Sequence, residues 1–112
     1  MPEMTTYERA LQIYQVLIGF AYQRQNLTYT TLGKLVGLPP HGLAMHLDHL
    51  LRYCKNQALP PITILVVRQA EGTPSTGFPS ATMDLDQERE RVFDYPWFRQ
   101  KPLTVEELKL LS

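Results

Sequence analysis

Gly37-Leu38-Pro39-Pro40 divides two helix-spaced apolar patterns, and no single helix can run through it. A glycine after the last periodic residue supplies a left-handed helix stop. Proline cannot occupy a helix interior, but it suits a turn that leads into a first helical position. On the N-terminal side, Leu32, Leu35 and Val36 fall on one helix face after a threonine-rich start. On the other side, Leu43, Leu47, Leu50, Leu51 and Cys54 repeat at i, i+4, i+7, i+8 and i+11, an amphipathic helix ending near Gln57 before Pro60-Pro61. Residues 28–43 therefore read as a helix, a tight turn and the start of a longer helix: a helix-turn-helix.

The flanking elements follow by the same rules. Thr5-x-x-Glu8 is a capping box. Ala10, Ile13, Tyr14, Leu17, Ile18 and Ala21 then share a face that Leu11, Val16 and Phe20 widen, which predicts a central helix over about residues 6–25. Thr30 or Thr31 is expected to cap the second helix. Ile62–Val67 is β-branched and apolar throughout and reads as a strand buried on both faces. Glu71–Gly77 has turn composition, and Gly77-Phe78 is a candidate return strand, so this loop would be a wing. A fourth helix is expected from Asp84 to about Asp94. A last short helix follows the capping box Thr104-x-x-Glu107, with Val105, Leu108 and Leu111 inward. The expected fold is α+β, a small winged helix-turn-helix domain with a helical C-terminal extension. The single domain 1–112 would comprise a winged-helix core over 1–78 and the extension over 79–112.

Length and charge limit the function classes. With 112 residues and 44% apolar content, the chain suits one domain with a modest core. Residues 1–70 carry six Lys/Arg against three Asp/Glu, a local +3, and residues 71–112 carry five against eight, a local −3. The total is zero, so no overall charge demands a polyanionic partner. The lone Cys54 excludes an intrachain disulfide. No signal peptide is visible, and no apolar stretch approaches the ~18 residues of a membrane span. A cytoplasmic protein without a membrane partner is expected.

Residues 8–78 resemble the DNA-binding domain of the methylguanine-DNA methyltransferases and their non-catalytic alkyltransferase-like relatives. The family run Thr/Ser-Tyr-Gly-Asp-Leu-Ala-x-Leu-Ala-Gly-x-Pro is similar to Thr28-Tyr-Thr-Thr-Leu-Gly-Lys-Leu-Val-Gly-Leu-Pro39, and the likeness continues through a helix to Val66-Val67 and a glycine-containing loop. The resemblance implies that Tyr29 presses on a DNA phosphate. It places Leu43 where the family inserts an arginine into the duplex. It also places Ile62-Thr63-Ile64-Leu65 at the catalytic Pro-Cys-His-Arg segment, so that Thr63 stands at the nucleophile. Alkyl transfer needs a thiolate with a depressed pKa, which a threonine between isoleucines cannot supply. An extruded base would also leave a gap with no arginine to fill it. The expectation is a non-enzymatic double-stranded DNA-binding protein, regulatory or related to DNA repair, without a cofactor.

The candidate DNA contacts are Tyr29, Lys34, His41, His46, His49, Arg52, Lys55 and Arg68, with Met45 and Tyr53 on the same helix face. Arg and Lys supply phosphate contacts, and Arg52 is the strongest base-reading type present. His46 and His49 share a face, but three ligands on one helix do not converge with Asp48 rotated away, so no metal site is expected. Cys54 belongs to the leucine stripe and is expected to be buried and inert. The alternation Asp84-x-Asp86-x-Glu88-Arg89-Glu90-Arg91 reads as an ion-paired surface. The alternative function is a protein-protein interaction module, an adaptor or inhibitor of a larger nucleic-acid-processing machine, with Tyr95, Trp97 and Phe98 as the partner contact.

Overall fold

The computed structural model describes residues 4–68 and 84–112. Helix α1 spans Thr6–Tyr22. Thr5 caps it: its hydroxyl accepts the Glu8 N–H at 3.1 Å, and the Glu8 carboxylate accepts the Thr5 N–H at 2.9 Å. The helix stops short of the expected end near residue 25 because Arg24 turns left-handed at φ 57, and the Gln25 N–H then returns to the Phe20 carbonyl at 3.0 Å. Helix α1 packs on every other helix described. Its Ile13 and Leu17 are fully buried, and each such side chain contributes about 1.5–3 kcal/mol.

Leu27–Thr28 forms strand β1, and Tyr29–Val36 forms helix α2. The cap of α2 is Thr28, not Thr30 or Thr31: its hydroxyl accepts the Thr31 N–H at 3.1 Å, which requires the extended backbone that Thr28 has as part of β1. Gly37 ends α2 at φ 75, and the Leu38 N–H reaches back to the Gly33 carbonyl at 2.9 Å. A side chain at Gly33 would collide with the Leu38 carbonyl oxygen, so the turn closes only over glycine. The Arg9 guanidinium also donates to the Val36 carbonyl, satisfying the end of α2 from α1.

A 3₁₀ turn over Pro40–Gly42 leads into helix α3, Ala44–Asn56. Its Leu43, Leu47, Leu50 and Cys54 stripe is buried, while Leu51 is half-buried at the rim. Ile62–Leu65 is a 3₁₀ turn rather than the expected strand. All four residues are buried among α1, α3 and α4, and among the described residues no strand pairs with them. The turn therefore meets backbone hydrogen-bonding needs internally, with the Ile64 N–H on the Pro61 carbonyl at 3.0 Å. Only Val66–Val67, strand β2, joins a ladder: it pairs in parallel with β1, Leu27 opposite Val66 and Thr28 opposite Val67. The wing expected at 71–77 and the return strand at Gly77-Phe78 lie outside the described residues.

Helix α4, Leu85–Asp94, is capped by Asp84. A 3₁₀ turn at Trp97–Arg99 follows, and helix α5, Val105–Leu111, opens with the Thr104–Glu107 capping box. The result is a compact, mostly helical α+β domain. No helix among the described residues is long and apolar enough to cross a membrane.

Candidate nucleic-acid interface

The turn closed by Gly33 and Gly37 sets the exposed edge of α2 beside the start of α3. His41 in the 3₁₀ turn and Met45, Asp48, Arg52 and Lys55 along α3 are all exposed. The spacing of three, four and three residues from Met45 to Lys55 puts those four on one line of the helix, and His41 leads into it. Lys34 is exposed in the last turn of α2, and Arg68 is exposed directly after β2. Tyr29, the first residue of α2, is half-buried and packs against the core.

The structure corrects the expected solvent face in one respect. His46 is only 8% exposed, with its Nδ1–H directed to the Gly42 carbonyl oxygen at 3.1 Å. It ties the 3₁₀ turn to α3 and does not present a ring for groove contact. His49 and Tyr53 are half-buried because α5 packs along that flank of α3, where the Asn56 amide donates to the Leu111 carbonyl at 2.7 Å. His49 lies against the Tyr7 ring at 4.9 Å, and its Nδ1 accepts from the Arg52 guanidinium at 3.0 Å. Burial first, then the Arg52 charge, holds the His49 pKa below its ordinary value. His49 therefore favours the neutral ring, with Nδ1 as acceptor. Among the described residues no three His, Cys, Asp or Glu side chains gather as metal ligands.

The residues aligned with the family's reactive segment are enclosed. Thr63 is buried between the fully buried Ile62 and Ile64, and Leu43 is fully buried in the core. Cys54 is also buried, and burial pushes its thiol up to about 11, against a smaller opposing effect of the Ile62 backbone. Near neutral pH that sulfur is a protonated thiol, not a thiolate nucleophile.

The aromatic segment after α4 splits. Trp97 is 4% exposed and meets Tyr14 edge-on at 6.1 Å. Tyr95 is half-buried, with its hydroxyl accepting from the Gln100 amide at 2.8 Å. Phe98 is 68% exposed and meets Tyr22, itself 70% exposed, at 5.6 Å. Sequence reasoning missed Tyr22; its signal was a large aromatic residue just past Ala21, the last residue of the α1 stripe. The charged run of α4 forms ion pairs, Arg91 to Glu88 at 2.7 Å and Arg89 to Asp86 at 3.2 Å. Arg24 reaches over from α1 to Glu90 and Asp94 and covers the Phe93 ring at 5.0 Å.

No family model matches the chain, and no curated protein or solved structure matches it.

Proposed function

We propose that this chain is a non-catalytic winged-helix DNA-binding protein of the alkyltransferase-like type. In this proposal α3 lies in a DNA groove, and the expected 69–77 loop, which lies outside the described residues, would meet the sugar-phosphate backbone. The observation that carries it is the exposed line His41, Met45, Asp48, Arg52 and Lys55, presented by a helix that follows a glycine-locked turn. Helix-turn-helix proteins read base edges with such a helix. Arg52 is the side chain best suited to a guanine edge, and Lys34, Lys55 and Arg68 suit phosphates. The buried Thr63 and the protonated Cys54 thiol support a role without alkyl transfer.

The test is a salt titration of binding to random duplex DNA. Arg52→Ala and Lys55→Ala should each weaken binding and lower the slope of log K against log salt by roughly one unit per lost phosphate contact. A wild-type slope near zero would refute DNA binding.

A second function, a protein-interaction module, is favoured by the exposed Tyr22–Phe98 pair, which joins the end of α1 to the Trp97–Arg99 turn. Paired aromatic side chains left in water are a common anchor for partner proteins.

A further inference from the structure

Two clefts adjoin at the Trp97–Phe98 turn and share both residues as a wall. One, of about 210 Å³, is floored by Leu11, Tyr14, Ile18 and Leu103, with Lys101 at its edge. The other, of about 290 Å³, is bounded by Tyr22, Phe93, Tyr95 and Pro96, with Arg24 and Arg99 at its edge. Both volumes sit at or below the lower end of the ~300–1,000 Å³ typical of sites that enclose a small molecule, and each suits a single bulky side chain.

The walls are aromatic and aliphatic, and the charged residues lining the clefts, Lys101, Arg24 and Arg99, are all cationic. Arg24 is engaged by Glu90 and Asp94, whereas Arg99 and Lys101 are exposed. The occupant therefore needs apolar anchors with carboxylates beside them. Single-stranded nucleic acid fits less well. Phe98 and Tyr22 meet at 76°, so their ring faces are not parallel and do not form one continuous stacking surface.

We infer that these clefts dock an acidic linear segment of a partner protein, which places one apolar side chain on each side of Phe98 and carboxylates against Arg99 and Lys101. This deepens the interaction-module reading and is independent of DNA contact through α3.

Fluorescence anisotropy with two labelled peptides, alternating glutamate–leucine and alternating lysine–leucine, tests the inference alongside labelled oligothymidylate. The glutamate peptide should bind the full chain more tightly than either other probe, and less tightly as salt is raised. Phe98→Ala should weaken it about tenfold or more, as loss of a central aromatic anchor does. The double variant Arg99→Glu, Lys101→Glu should switch the preference to the lysine peptide. These side chains are exposed, so circular dichroism should report unchanged folding. Equal binding of the two peptides, no binding of either, or a glutamate complex indifferent to Phe98→Ala would overturn the inference. Oligothymidylate binding that depends on Phe98 would replace it with a base-stacking site. Concentration-dependent self-association abolished by Phe98→Ala would replace it with a contact between copies of this chain. Arg52→Ala in the same assays should leave the peptide signal intact, so failure here is distinguishable from failure of DNA binding.

Discussion

The indole N–H of Trp97 donates to the carbonyl oxygen of Val92 at 2.8 Å inside the core. That bond folds the chain leaving α4 back onto α1, because Trp97 then meets Tyr14 edge-on while Val92 is itself fully buried. Adjacent residues consequently have opposite fates: Trp97 seals the core and Phe98 stands in water.

Replacing Trp97 with alanine should lower stability by about 3–5 kcal/mol through the lost packing. Trp97→Phe should keep most of the packing and forfeit the hydrogen bond, a further effect of about 1 kcal/mol. Urea denaturation followed by circular dichroism measures both. Phe98→Ala should stay within ~0.5 kcal/mol of wild type, the usual range for surface positions. Equal losses at 97 and 98 would contradict this division.

Gly33 and Gly19 make a matched pair. Alanine at 33 meets the Leu38 backbone, which has little room to move, so Gly33→Ala should cost about 1–3 kcal/mol. Alanine at 19, in the last turn of α1, meets nothing within 4 Å, so Gly19→Ala should raise stability by up to about 1 kcal/mol. Thermal unfolding of the two variants should therefore shift in opposite directions.

Cys54 should react with a thiol reagent slowly in the native protein and quickly in denaturant. Its thiol ionises at about 11 when folded, against an ordinary 9.0. Between those pH values the native state holds a proton that the unfolded state releases, so stability is intact below pH 9 and falls as pH rises toward 11. The loss attributable to this group is about 2–3 kcal/mol, since each unit is worth ~1.4 kcal/mol. Unfolding curves at pH 8 and pH 10.5 should show a smaller decline in Cys54→Ala than in wild type. Parallel declines would exclude Cys54 as the source.

Asp48 is the one carboxylate on the exposed line of α3. If that line faces phosphates, Asp48→Asn should tighten duplex binding by a few tenths to about 1 kcal/mol, the scale of an exposed charge contact. Anisotropy at low salt reads the change. Weaker binding would instead identify Asp48 as an acceptor for a base amino group, as carboxylates are toward cytosine.

Features set within one or two turns of chain were legible in the sequence. Thr5 with Glu8, Thr104 with Glu107, and Gly37 before the paired prolines each mark a helix end through bonds between residues at most a few positions apart. The Leu43–Leu47–Leu50–Cys54 stripe needed only the period of a helix. Other features needed the assembled fold, because they depend on groups far apart in sequence. Helix α5 turns His49 and Tyr53 inward by covering the flank of α3, and a repeat of 3.6 residues cannot say which second helix covers a flank. Ile62–Leu65 has the composition of a strand, but composition does not supply a neighbouring strand, and among the described residues only Val66–Val67 finds one, at β1. Tyr22 and Phe98 are 76 positions apart in sequence, and they form a surface only because the Trp97–Val92 bond turns the chain back against α1.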